Sequence, residues 1–214
     1  MNKPKRRAEL KAYHRQVLIN ATFETIAELG IAGTSVTNII NRAGLSRGMI
    51  HLHFDSKNHL LLEAARHMSK QYYANLDSFL QAAGDSPQEK LEAMISADLS
   101  EEILNRKTVN VWYAFRGEAR SQNSFARFSD TRDDVLRGMF NEAYLQLAEG
   151  TEEPDVLARD ATHGTLALLE GMWTDFLLHS EAFNRNSAKR IVFRFLSALF
   201  PRNFDQTGAR PKIP

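Results

Sequence analysis

Apolar residues recur along this chain at spacings of three and four and almost never alternate, so the pattern predicts helices from end to end. A first helix is expected from about Lys11 to Leu29, with Leu18, Ala21, Ile26 and Leu29 on one side and Gly30 to stop it. Two short helices follow between Thr34 and Phe54. A long fourth opens at Ser56, carries Leu60, Leu61, Ala64, Met68 and Tyr72, and reaches about Gln81 before the run A-A-G-D-S-P breaks it. Pro87 suits the first turn of a fifth helix, where its missing N–H has no intrahelical partner to lose. A sixth, rich in aromatics, spans about Val109 to Ala119, and a seventh about Ser124 to Ala148, closed by Gly150. An eighth runs from Pro154 to about His179, and a ninth from about Asn184 to Phe200, where Pro201 ends it. The expected fold is all-α, with about nine helices. Residues 1–10 read as a mobile basic arm and residues 201–214 as a flexible tail.

The segment from Thr34 to Leu60 carries the most information. Thr34 or Ser35 can cap a first short helix, because a hydroxyl accepts a bond from an orphan N–H of the first turn. Ile39, Ile40 and Ala43 give that helix an apolar side, and Gly44 suits the left-handed conformation that ends it. Leu45 fills the angle. Ser46 is placed to cap the second helix, which sends Ile50 and Phe54 inward and leaves Arg47, Gly48, His51 and His53 outward. This is the pattern of a helix-turn-helix, whose second helix enters the major groove of DNA.

Thr34, Ile39, Ala43-Gly44-Leu45-Ser46, Gly48, Phe54, Lys57 and Leu60 together resemble the signature of the tetracycline-repressor (TetR) family of bacterial regulators. The resemblance implies a helix-turn-helix domain over residues 1–55 and a larger helical ligand-binding and dimerisation domain over residues 56–200. Family members usually carry a tyrosine where this chain has His51, and that tyrosine generally touches the DNA backbone. At the third position of the next helix, where many members have an acid, stands His59, so a capping box with Ser56 is not expected. The expected DNA-contacting set is Thr34, Ser35, Thr37, Ser46, Arg47, Gly48, His51, His53 and Lys57. Arg47 can bond guanine with two N–H groups or meet a phosphate. Gly48 allows close backbone approach, and Lys57 with the start of the fourth helix can hold a phosphate.

Charge distribution agrees. The chain has 214 residues and a formal net charge of +1, but residues 1–60 hold nine Lys/Arg against four Asp/Glu, and the remainder 18 against 22. A basic head on a mildly acidic body fits a DNA reader with a separate sensor. There are no cysteines, which rules out disulfides, thiolate metal sites and a cysteine nucleophile. The start M-N-K-P-K-R-R is polar and basic, and no stretch is apolar enough to span a bilayer, so a cytoplasmic protein is expected.

Two segments concentrate aromatics beside acids: V-N-V-W-Y-A-F-R-G-E-A-R and L-L-E-G-M-W-T-D-F-L-L. Trp112, Tyr113, Phe115, Trp173 and Phe176 can line a pocket, and Glu118, Glu170 or Asp175 can supply negative charge. Ring faces with a nearby carboxylate suit a quaternary ammonium ligand, which has no N–H to donate. The alternative is ordinary core, since aromatics at helical spacing usually pack inside. The segments W-Y-A-F-R-G-E-A-R, R-F-S-D-T-R-D-D-V-L, L-L-E-G-M-W-T-D-F-L-L and A-F-N-R-N-S-A-K-R-I-V-F-R-F are similar to the choline-responsive, betaine-pathway repressor branch of the family (BetI-like). That resemblance implies an effector such as choline. The eighth and ninth helices are apolar on more than one side, and Leu169, Trp173, Ile191, Val192, Phe195, Leu196 and Leu199 are assigned to a homodimer interface. A dimer would set two reading helices one DNA turn apart on a palindromic operator.

The leading expectation is a homodimeric repressor released by a small molecule. A regulator of the same type sensing an unrelated compound, a helical adaptor and an all-α enzyme are the alternatives. Against an enzyme, the chain has no Gly-rich phosphate loop and no H-E-x-x-H pair. Glu63 and His67 are four apart, a weak metal signal. No catalytic residue, metal or cofactor is assigned.

Overall fold

The computed structural model describes residues 3–119 and 123–211. Within them are nine helices and one two-stranded hairpin: α1 (Lys3–Gly33), α2 (Val36–Ala43), α3 (Gly48–His53), α4 (Lys57–Ala82), α5 (Pro87–Asp98), α6 (Arg106–Ala119), α7 (Asn123–Ala148), α8 (Pro154–His179), α9 (Arg185–Leu199), β1 (Phe204–Asp205) and β2 (Gly208–Ala209). They form two compact units, Met1–Gln71 with Lys107–Asp130, and Tyr72–Arg106 with Thr131–Pro214.

The expected basic arm is helical from Lys3, so α1 extends eight residues beyond the start expected at Lys11. Gly30 interrupts the helical geometry with φ 67°, in the region glycine enters without steric cost, and the chain resumes helix to Gly33. The head core is a cluster of Leu18, Ile19 and Ala21 of α1, Ile39 of α2, Ile50 and Phe54 at α3, and Leu60 of α4, with Val36, Ile40, Ala43, Leu45 and Met49 partly buried against it. The first unit also takes in most of α6: Lys107 pairs with Glu24 at 2.5 Å, and Asn110 Nδ2 donates to the Ala27 carbonyl at 3.1 Å.

In the second unit, α5 starts on a capping box: the Ser86 hydroxyl accepts from Glu89 N–H and the Glu89 carboxylate accepts from Ser86 N–H. Tyr144 of α7 is fully buried, stacked with Phe140 and with Phe200 at a ring separation of 5.6 Å, and its hydroxyl bonds Thr165 at 2.7 Å. Burial pushes that phenol far above its ordinary range. α8 and α9 pack closely at Gly164, where an added Cβ would stand 2.3 Å from the Phe195 ring tip.

The expectation of a flexible tail fails over residues 201–211. Phe204 is fully buried and stacked on Phe193 with centroids 6.2 Å apart. The hairpin pairs Phe204 with Ala209 and Asp205 with Gly208, and Ala209 N–H donates to the Glu92 carboxylate at 2.8 Å. A polar, Gly- and Pro-bearing stretch resembles a loose end by composition, but the aromatic anchor, the bond to Glu92 and the bond from Arg210 N–H to the Asn203 carbonyl at 2.7 Å fold it down. Residues 212–214 lie outside the described residues.

Phe204→Ala should therefore destabilise the protein by about 3–5 kcal/mol in denaturant unfolding, the range for emptying a buried phenylalanine site. Wild-type stability in that variant would mean the hairpin is not anchored.

Candidate DNA-reading head and helical sensor

The reading head is built from two short helices. Ser35 caps α2, accepting from Asn38 N–H at 3.1 Å, and the Asn38 amide donates to the Gly33 carbonyl at 2.9 Å. Gly44 ends α2 with φ 63° and ψ 29°, as expected. Arg42 of α2 pairs with Glu28 of α1, fixing one helix on the other. α3 begins without the expected serine cap. Its N-cap residue is Arg47 with no side-chain bond, and the first turn is closed by Met49 N–H to Ser46 C=O at 3.0 Å. Ser56 caps α4 through His59 N–H at 3.1 Å, and the His59 ring accepts weakly from Asp55 N–H at 3.5 Å.

Ile50 and Phe54 point inward, 1% and 2% exposed. Ser35, Thr37, Ser46, Arg47, Gly48 and His51 are exposed, and Lys57 and His53 half-buried. Thr34 is a correction to the expected contact set. It is fully buried, and its hydroxyl donates to the Gly30 carbonyl at 2.6 Å, so it closes the end of α1 and has no surface to offer a phosphate. Sequence reasoning also missed Leu52, which stands 63% exposed on α3. Its signal was an apolar residue two positions from each of Ile50 and Phe54, on the opposite side of the helix.

A cavity of about 990 Å³ opens between α1 and α3, lined by Arg7, Lys11 and His14 from one helix and Met49, Leu52 and His53 from the other. Its polar lining is cationic, suited to a phosphate backbone. His53 stands edge-on to His14 with centroids 6.1 Å apart, and neither of its ring nitrogens has a hydrogen-bond partner among the described residues. Burial lowers its pKa below the ordinary histidine range, and His14, Lys11 and Arg15 lower it further.

Glu63 serves the head's architecture. It is held by Arg15 of α1 and Arg66 of α4. Burial opposes its charge, but the hydrogen bonds from the two arginines prevail and keep its carboxyl below the usual range. No cluster of three or more metal-ligating side chains occurs among the described residues.

The sensor candidates divide between the two units. Trp112, Tyr113, Phe115 and Glu118 belong to the first, with Trp112 and Phe115 buried and Tyr113 and Glu118 half-buried. Trp173 and Phe176, both buried, belong to the second. There, Phe176 has the Arg185 guanidinium 5.4 Å over its ring and Phe183 edge-on at 5.4 Å, so that face is taken within the subunit. Arg185 also donates to the Leu104 carbonyl at 2.7 Å. Trp173 has a different partner. Its indole N–H donates to Asp98 Oδ2 at 2.8 Å, and Tyr72 O–H donates to Asp98 Oδ1 at 2.9 Å. Asp98 is fully buried. Its signal in the sequence was an acid on the apolar stripe of α5, at helical spacing from Leu91, Met94 and Ile95.

The expected interface residues also need correction. Leu169, Trp173, Val192 and Leu196 are 3% exposed or less, filling the core of their own subunit. Phe195 is half-buried against Gly164, and Leu199 is half-buried. Ile191 stands 45% exposed, with Leu177 and Leu178 of α8 also outside. Helical periodicity marks a buried stripe but does not say which body buries it.

This architecture defines a helical regulator with a helix-turn-helix head. A model of the bacterial regulatory proteins of the tetR family matches residues 18–64, and a model of the BetI-type transcriptional repressor C-terminal domain matches residues 87–201. The chain belongs to the TetR family of DNA-binding transcriptional regulators, with a BetI-type C-terminal domain. It is 29% identical over 182 residues to the HTH-type transcriptional regulator BetI of Stenotrophomonas maltophilia, covering 85% of this chain and 90% of that one. The BetI regulator of Ectopseudomonas mendocina is 29% identical over 188 residues, 87% of this chain and 93% of the relative. A crystal structure of a transcriptional regulator from Pseudomonas aeruginosa superposes with a TM-score of 0.78 at 27% identity, covering 94% and 93% of the two chains. A regulator from Saccharomonospora viridis solved in complex with choline shares the fold, with a TM-score of 0.73 at 18% identity over 87% of this chain and 96% of that one. Its relatives and families are regulators and not enzymes, and no helix among the described residues is long and apolar enough to cross a membrane.

The depressed pKa of His53 makes the head acid-sensitive. Its contribution to stability is complete above the ordinary histidine pKa and is lost as pH falls through the lower folded-state value, because the unfolded chain binds the proton more tightly. The melting temperature should fall as pH drops below the ordinary histidine pKa, and His53→Gln should shrink that fall. An equal fall in the variant would assign it elsewhere, His67 being shifted in the same direction.

Proposed function

We propose that this regulator is a homodimeric repressor whose DNA affinity is set by a small cation, of the quaternary ammonium class to which choline belongs, bound in the C-terminal unit. The observation that carries the reading is the buried Asp98 carboxylate with Tyr72 and Trp173 on its two oxygens. A carboxylate held among aromatic rings in a low-dielectric interior attracts a cation strongly, and ring faces favour one without N–H donors. The choline found in the Saccharomonospora viridis regulator supports the ligand class. Tyr72 lies on α4, the helix whose first residue is Lys57 at the head, which makes α4 the element that would carry a change from ligand to DNA. The ligand shifts the operator-binding population only by its differential affinity for the two states. Two copies would meet through α8 and α9, with Leu177, Leu178 and Ile191 as the apolar contact surface.

Calorimetry tests the ligand. Choline and betaine aldehyde should bind the wild type, and Asp98→Asn should weaken them by about tenfold or more, the loss of one buried charge partner. Unchanged affinity in a folded Asp98→Asn protein would place the effector elsewhere. Absence of binding to either compound in the wild type would remove the ammonium class.

Sedimentation tests the assembly. Ile191→Glu should shift the protein towards monomer without lowering helix content, because the side chain already faces solvent in the single subunit. An unchanged dimer would exclude this surface. Phe195→Glu is a poorer probe, since that ring packs on its own Gly164.

A further inference from the structure

We infer that Leu52 is a specificity-determining residue, reading thymine methyl groups in the major groove of the operator. The inference rests on the DNA-binding role of the head. Successive residues of an α-helix are about 100° apart, so with Ile50 and Phe54 fixed inward the centre of the outward face falls on Gly48 and Leu52, one turn apart. Leu52 is 63% exposed. An added Cβ at Gly48 would meet nothing within 4 Å, so the fold itself does not demand a glycine there. The face is thus flat at one turn and carries a lone branched apolar group at the next.

Its chemistry narrows what it can recognise. Between Gly48 and His53 there is no Asn, Gln, Arg, Lys, Asp or Glu, the side chains that read base edges by paired hydrogen bonds or by accepting from cytosine. Met49 is half-buried and packed on the head core, leaving Leu52 as the protruding apolar group. The major groove offers an isobutyl group one apolar feature on its base edges, the C5-methyl of thymine. Arg7 and Lys11, which share a groove with Leu52, supply the flanking charge that holds phosphates while the leucine reads the bases. Each half-site therefore carries thymine under the second turn of α3.

The test uses full-length protein and an operator selected from random duplexes. Each thymine is then replaced in turn by deoxyuridine, which deletes only the methyl group. Wild-type protein should lose about fourfold in affinity at one or two thymines per half-site, the effect of exposing one methyl-sized apolar group. Leu52→Ala should melt like the wild type and bind the thymine and uracil duplexes equally. Wild-type indifference to every replacement would overturn the inference. So would a Leu52→Ala protein that keeps the full penalty, which would mean the methyl acts through DNA shape. Failure to recover any preferred duplex would refute the DNA-reading role itself, and the inference with it.

Discussion

A six-residue helix does not hold together in water by its own hydrogen bonds, since helix nucleation costs more than so few bonds return. α3 exists because Ile50 and Phe54 are driven into the cluster made by Leu18, Ile39 and Leu60. That burial fixes the helix and its rotation about its own axis. Everything on the outward side follows from it: Gly48 and Leu52 at the centre, His51 toward one flank, His53 and Met49 toward the other. The Glu63 pairing with Arg15 and Arg66, the Arg42–Glu28 pair and the Ser35 cap hold the helices that form the socket.

The second unit shows the same economy with polar groups. Asp98 sits in an apolar helical interior, where an unpartnered carboxylate would cost several kcal/mol (about the penalty of a lone buried charge). Tyr72 and Trp173 each present a donor to it, so two of the larger aromatics of the unit are oriented by one acid. Tyr144 is oriented similarly by Thr165. Such bonds fix where rings stand, which apolar packing alone leaves looser.

Local signals were legible in the sequence and long-range ones were not. The Ser35 cap, the left-handed Gly44, Pro154 at the start of α8 and the inward pair Ile50 and Phe54 are each decided within one or two helical turns. Pro87 in the first turn of α5 belongs with them, and the capping box around it is formed as locally. By contrast, Thr34 looked like an exposed cap, and only the break at Gly30 shows that its hydroxyl turns back into α1. Val192, Leu196 and Leu169 carried a true helical stripe, but which body covers a stripe depends on tertiary packing. The anchor of Phe204 on Phe193, eleven residues away across a chain reversal, had no periodic signal at all. The aromatic candidates for a ligand cage were recognisable as a class, while the partner that distinguishes Trp173, the carboxylate of Asp98, lies 75 residues away in the chain.

The central claim is that the outward face of α3 reads a particular duplex, with the basic head supplying the affinity. Its most direct measurement is binding to the DNA flanking the protein's own gene and to duplexes recovered by unbiased selection, followed across a salt series. The account predicts one preferred site with approximate two-fold symmetry, bound with an affinity that falls steeply as counterions compete for the phosphates. Uniform affinity for all duplexes, or no binding that salt can weaken, would contradict it.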